Sequence, residues 1–237
     1  MKKTTNFLTL FLLLAVIVLA AAVGYLLWKD SQDTGTALSV SVSQSAQGEL
    51  DETEEQPPAE EEITGLHCSI QLGSLEVTAG EDFGVSELNG SGYEAYIEDG
   101  IYVVNGSMTR ENHIVVTVPA DCLFQTVALT VNGGVLNVQN IHTQTLLTNC
   151  DKGGLHFSGS VEGDAEIQHL HGETALTLQG TQTDFNYELD YELGHIGVGK
   201  KQYAGANGGE SVDNQSDKTM RIHCTMGSVS VLFSDIL

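Results

Sequence analysis

The chain has 237 residues, a formal net charge of −23 at pH 7 and a pI near 4.3, with 32 Asp and Glu against 9 Lys and Arg. So few bases cannot neutralise a run of phosphates, which excludes a nucleic-acid binder. Gly is high at 26, Pro is low at 3 and 41% of residues are apolar, which excludes collagen and a wholly disordered chain.

Phe7 to Trp28 is an apolar run interrupted only by Thr9 and Gly24. A helix of that length reaches roughly 33 Å, enough to cross a hydrocarbon core of about 30 Å. Tyr25 and Trp28 lie at one end, where amphipathic rings favour the interface. Lys2 and Lys3 precede the run, and Lys29 alone comes after it before Asp30 and Asp33. The bias predicts a transmembrane helix over 7–28, with residues 1–6 in the cytoplasm and the rest of the chain outside. Six cytoplasmic residues leave no room for a signalling domain there. The alternative is a signal peptide cut after Ala22, since Ala20-Ala21-Ala22 offers an A-x-A site. Val23 to Trp28 stay apolar beyond that cut and complete a full span, which favours an uncleaved anchor. Both readings export the remainder of the chain.

Residues 29–62 change character. From Asp30 to Glu62 they carry ten acids, no base and no aromatic residue, and Pro57-Pro58 adds stiffness. Such a segment cannot bury enough apolar surface to offset its ordering entropy, so a disordered acidic linker is expected. It serves as a solvated tether, or as a stalk that also repels anionic headgroups.

Residues 63–237 show no helical period. Short alternating runs recur instead, among them Ile101-Tyr-Val-Val104, Ile114-Val-Val-Thr-Val118, Val127-Ala-Leu-Thr-Val131, Leu155-His-Phe157, Leu176-Thr-Leu178 and Val229-Ser-Val-Leu-Phe233. Period-2 alternation rich in β-branched residues predicts strands with one buried face. Glu98-Asp99-Gly100 is a hairpin signal, and Pro119 ends a strand. A further pattern, Gly-x-apolar-x-apolar, recurs at Gly73, Gly134, Gly153, Gly194 and Gly227. Glycine takes positive φ at a corner, and the next two apolar positions then point to one face. The copies at 134 and 153 lie about one rung apart, where stacked rungs of about 20 residues build a continuous core. The expected fold is all-β: a single-stranded right-handed β-solenoid or rolled β-sandwich of short strands. A Greek-key sandwich is the alternative.

These residues resemble a known family. The most specific part is the end: Asp184-Phe-Asn-Tyr-Glu-Leu189, Gly194-His-Ile-Gly-Val-Gly199, Tyr203-Ala-Gly205, Asp217-Lys218 and Ile222-His-Cys-Thr-Met-Gly-Ser-Val-Ser-Val231. Residues 63–237 are similar to the bacterial "putative adhesin" domain of unknown function, a β-strand-repeat domain related to toastrack-like envelope domains. The resemblance implies an envelope-exposed domain, often behind one membrane anchor, in Gram-positive bacteria. It supplies no catalytic residues, and the long acidic linker departs from it.

The remaining candidates for chemistry are sparse. Cys68, Cys122, Cys150 and Cys224 form no C-x-x-C. Outside a membrane they are free to pair, and His67-Cys68 and His223-Cys224, in the first and last strands, would meet as a disulfide or metal site if those strands were neighbours. Otherwise all four are small buried apolar residues. His169-Leu170-His171 places two imidazoles on one face of a strand, with His156 one rung earlier as a third zinc ligand. Exposed polar positions explain the same spacing without metal. There is no G-x-S-x-G, Walker A or H-E-x-x-H. Gly194-x-x-Gly197-x-Gly199 has no helix behind it to face a phosphate, so it reads as strand corners. Glu81-Asp82 and Glu98-Asp99 read as turn residues, without the regular spacing that calcium needs. Catalytic, cofactor-binding and metal residues are therefore expected to be none. The expected protein is a non-catalytic, membrane-anchored surface protein, engaged in adhesion, in contact with an envelope protein or wall polymer, or in regulating envelope state. The alternative is a wall- or glycan-processing enzyme on a β-solenoid scaffold.

Overall fold

The computed structural model describes residues 62–87, 92–106 and 112–234. The expected membrane helix at 7–28 lies outside the described residues, as does the expected linker at 29–62 apart from Glu62. Among the described residues no helix is long and apolar enough to cross a membrane.

The described part is all-β. The strands are β1 (Gly65–Ile70), β2 (Gly73–Gly80), β3 (Gly84–Glu87), β4 (Tyr93–Glu98), β5 (Ile101–Gly106), β6 (Asn112–Pro119), β7 (Leu123–Val131) and β8 (Val135–Val161). After these come β9 (Ala165–Gln179), β10 (Asn186–Tyr191), β11 (Gly194–Val198), β12 (Lys201–Ala204), β13 (Gly208–Val212), β14 (Thr219–Cys224) and β15 (Gly227–Ser234). One 3-10 turn, Gln182–Asp184, leads into β10.

β8 has 27 residues, far more than an ordinary strand of about 5–6. It is bent rather than straight. Asn140 and Gly153 both take positive φ inside it, at 56° and 118°, so the chain turns corners without leaving the ladder. Successive turns then stack on each other in parallel. Val127 faces Leu146, Leu146 faces Ala165 and Gly153 faces Gly172, a constant offset of 19 residues. The Gly154 amide donates to the Gly134 carbonyl at 2.9 Å, so β8 stacks on its own earlier turn.

Each turn has two arms that meet at a glycine corner, and the arms form two ladders. The first runs β4-β5-β1-β7-β8-β9-β14-β10-β13. The second runs β3-β6-β2-β8, then β9-β15-β11-β12. All pairings inside the stack are parallel, and only the outermost strands, β3, β4, β12 and β13, run antiparallel to their neighbours. A Greek-key sandwich, antiparallel throughout, does not have this pattern.

The corners explain the Gly-x-apolar-x-apolar pattern. Gly73, Gly134, Gly153, Gly172 and Gly227 take φ between 92° and 118° and lie on top of one another, whereas at Gly194 the expected positive φ falls instead on the preceding Leu193, at 54°. A Cβ on Gly153 would run into the carbonyl oxygen of Gly134, and one on Gly172 into that of Gly153. Both the dihedral and the backbone contact thus demand glycine. Gly172 escaped the sequence pattern because Thr174 stands where the other corners carry an apolar residue.

Inward positions of both ladders merge into one core. Val127, Leu146, Ala165, Met220 and Tyr187 form one buried row of the first ladder, and Leu75, Leu136, Leu155 and Val229 one row of the second. Each large apolar side chain among them contributes about 1.5–3 kcal/mol by leaving water.

The ends depart from simple stacking in chain order. At one end β5 and β6 form the outermost turn, although β1 and β2 precede them in the chain. At the other, β10 and β11 are outermost and β14 and β15 return to lie inside them. β3, β4, β12 and β13 close the two ladders at their ends, and Ser234 ends a strand held between β9 and β11.

Candidate functional site

The cysteines are all free thiols. β1 and β14 are not neighbours, since β7, β8 and β9 lie between them. At about 4.8 Å per strand, Cys68 and Cys224 are too far apart for a disulfide, whose Cα atoms sit within about 7 Å. The paired H-C dipeptides therefore do not meet. Burial pushes the Cys68 thiol up to about 12. Cys122 is half-buried, and its thiol is also raised, by burial first and then by the charges of Asp121 and Glu62.

The stack instead builds a row that no spacing announced. Cys150, His169 and Cys224 occupy the same inward position on the adjacent strands β8, β9 and β14, each three residues before its corner glycine. His169 Nδ1 lies 2.9 Å from the Thr174 hydroxyl, and Nε2 has no hydrogen-bond partner of normal geometry. Burial lowers the His169 pKa and the nearby His171 adds to that, while the Gly172 carbonyl offsets part of it. The Cys150 sulfur contacts the His171 carbonyl, and the Cys224 sulfur contacts the His195 carbonyl on the opposite side. The two sulfurs lean to different strands, and among the described residues no three His, Cys, Asp or Glu side chains converge as a metal site. His169 is in the core, Leu170 is exposed, and His171 is half-buried at the corner with its Nδ1 covered. His156 is exposed on the second ladder, so it cannot join them.

The other sequence candidates fall in turns and corners. Glu81-Asp82 joins β2 to β3, and Glu98-Asp99 leads into β5, with Asp99 and Gly100 both at positive φ as a two-residue hairpin requires. Gly194, Gly197 and Gly199 belong to β11 and its turn into β12.

The feature with the geometry of a binding surface is the outer face of the first ladder. Parallel register aligns its outward side chains in columns that run across the strands. One column is Tyr96, Val103, His67, Ala128 and Leu147, continued by Glu166, Arg221 and Glu188. The next is Ser69, Thr130, Asn149, Gln168, His223 and Asp190. Between them lies a shallow trough. One part, about 460 Å³, is floored around Ala128, Leu147 and Asn149; the next, about 430 Å³, lies around Glu188, Arg221 and His223. Glu166 and Gln168 line both parts, so the two adjoin.

Its charged half is cross-braced. Arg221 Nε donates to Glu188 at 2.9 Å and its Nη1 lies 4.0 Å from Asp164. His223 Nδ1 lies 2.9 Å from Asp190, and its Nε2 lies 3.2 Å from the Thr225 hydroxyl. These pairs are largely exposed, so each adds at most about 1 kcal/mol and serves to fix side-chain positions. The columns depend on which strands become neighbours, and so could not be read from the sequence.

No family model matches the chain, and no curated protein matches it. Among solved structures it is similar to a "putative cell adhesion protein" from Clostridium sporogenes ATCC 15579, at 8% identity and a TM-score of 0.44, over 73% of this chain and 94% of that one. It is also similar to a "putative adhesin" from Bacteroides fragilis NCTC 9343, at 9% identity and a TM-score of 0.29, over 72% and 93%.

Proposed function

We propose that this is a membrane-anchored surface protein that holds a partner and does not catalyse a reaction. In this reading residues 7–28 are a single-pass anchor with the N-terminus in the cytoplasm, and 29–62 are an acidic tether. Residues 63–237 form an extracytoplasmic adhesin-like domain of solenoid type. The 19-residue parallel stacking over β7, β8 and β9 supports the solenoid reading. The apolar run and the lysines before it support the anchor. The partner is an envelope protein, a wall polymer or a facing cell surface.

The observation that carries the proposal is the pair of adjoining shallow troughs over the outer face of the first ladder. A ladder of parallel strands is rigid and repeats its side chains about every 4.8 Å, which suits an extended partner laid across the strands. Its polar groups pair with one another, as Arg221 does with Glu188, and are not aimed at a single reacting point.

The test places a photo-cross-linking amino acid at Asn149 in the trough and, as a control, at Thr177 on the outer face of the second ladder. Cells making the full chain are irradiated intact. A discrete product from Asn149 but not from Thr177 is expected. Equal yields from both positions, or none from Asn149, would refute the assignment of this face.

A further inference from the structure

Granting that the trough is the binding face, we infer that its occupant is a polypeptide segment with an apolar row and a basic end, laid across the strands as a helix.

The first argument is the change of character along one column. Over five neighbouring strands, β4 to β8, the outward residues are Tyr96, Val103, His67, Ala128 and Leu147. Tyr96 and Leu147 are 43% and 39% exposed, large apolar groups left in water, whereas Val103 between them is nearly covered at 7%. Over the next three strands the same column is Glu166, Arg221 and Glu188. Asp190 and Glu210 lie alongside, and the single Arg221 is already engaged with Glu188. The far end thus keeps a surplus of negative charge. A partner that complements the whole column, of which the trough covers the stretch from Ala128 to Glu188, must be apolar along one part and cationic along the other.

The second argument is spacing. Neighbouring strands lie about 4.8 Å apart, and an α-helix advances about 5.4 Å per turn. A helix aligned with the column sets one side chain per turn over each strand, drifting only about 2 Å over four turns. Apolar residues at i, i+3, i+4 and i+7 would then track the apolar stretch.

The third argument concerns the competitors. Among the described residues no Phe, Tyr or Trp lines either part of the trough; the one aromatic ring of the column, Tyr96, stands on the capping strand β4 outside both parts, so no ring lies where a sugar seated in the trough would stack. An anionic polymer would meet the excess carboxylates.

The experiment uses the full chain in nanodiscs of zwitterionic lipid, with empty discs as blank. The probe is an 18-residue Ala-rich helical peptide, fluorescently labelled, with Leu along one face and three Lys at one end. Its partners are the same peptide with Glu in place of Lys, and a soluble chito-oligosaccharide. Saturable binding of the Lys peptide is expected, weakening as salt is raised, with at least tenfold weaker binding by the Glu peptide. Leu147→Lys and Glu188→Lys should each weaken the Lys peptide at least fivefold. Both positions are exposed, and an unchanged thermal midpoint confirms that the variants fold. Equal binding of the two peptides, or no effect of either variant, overturns the inference. Binding of the oligosaccharide alone, lost in Asn149→Ala, overturns the helical occupant but leaves the binding face in place. Loss of the Asn149 cross-link in cells would remove the face itself.

Discussion

The central turns and the end turns solve different problems. From β7 to β9 the chain stacks in order, offset by 19 residues, and its glycine corners touch backbone to backbone. At each end the order is exchanged and an antiparallel pair closes the ladders. At one end the chain lays down an inner turn, two caps and then an outer turn; at the other it lays down outer turn, caps, inner turn. Repetition specifies the middle, because each turn presents its successor with the surface it met itself. An end cannot be specified that way, since a further copy would only add another open edge. Antiparallel strands with different side chains interrupt the series.

This contrast can be broken by substitution. The largest effect is expected at a central corner. Gly153→Ala places a Cβ against the Gly134 carbonyl at φ 118°, and should cost more than about 3 kcal/mol or abolish folding. Gly154→Ala, one residue on, meets only ordinary contacts at 3.5 Å and beyond, and should change stability by less than about 0.5 kcal/mol. Urea titration of the two variants separates the ladder from glycine content in general; equal effects would refute it. Next, Leu155→Ala in the central core should cost about 2–5 kcal/mol, whereas Ile97→Ala on the capping strand β4, 49% exposed, should cost under about 0.5 kcal/mol.

A smaller effect is expected at the corner of β9. Thr174→Val removes the partner of His169 Nδ1 and should cost about 1–3 kcal/mol, and the His169→Leu/Thr174→Val double variant should recover most of it. The smallest effect is that of pH. His169 has a folded-state pKa below its ordinary value of 6.5, so unfolding takes up a proton in the interval between them. Its contribution is complete above pH 6.5 and is lost as pH falls through the folded-state value. The urea midpoint should therefore drop on acidification from pH 7 to 5, and drop less in the double variant. Identical slopes would show that other groups carry the acid sensitivity.

The β class, the hairpin at Asp99-Gly100 and most of the corners were legible, because alternation and glycine are local signals. The row of Cys150, His169 and Cys224 was not. Its first step obeys the 19-residue offset, but the next residue at that offset is Glu188, on the outermost strand β10. The chain first makes the excursion through β10 to β13, and only then does Cys224 arrive beside His169. The trough was hidden for the same reason. Arg221 stands between Glu166 and Glu188 only because β14 enters the ladder between β9 and β10. The local periodicity gives no sign of such an insertion.

That late entry also bears on how the domain comes into being. β14 and β15 bind β9 on one side and β10 and β11 on the other, so they act as a keystone. Until residues 219–234 arrive, the turn 165–179 and the outermost turn each present a bare parallel edge with nothing to hold them together. A nascent or nicked molecule lacking that stretch would be prone to pair with its siblings through those edges. In the folded domain β14 and β15 fill that position, so closure of the ladders waits on residues 219–234.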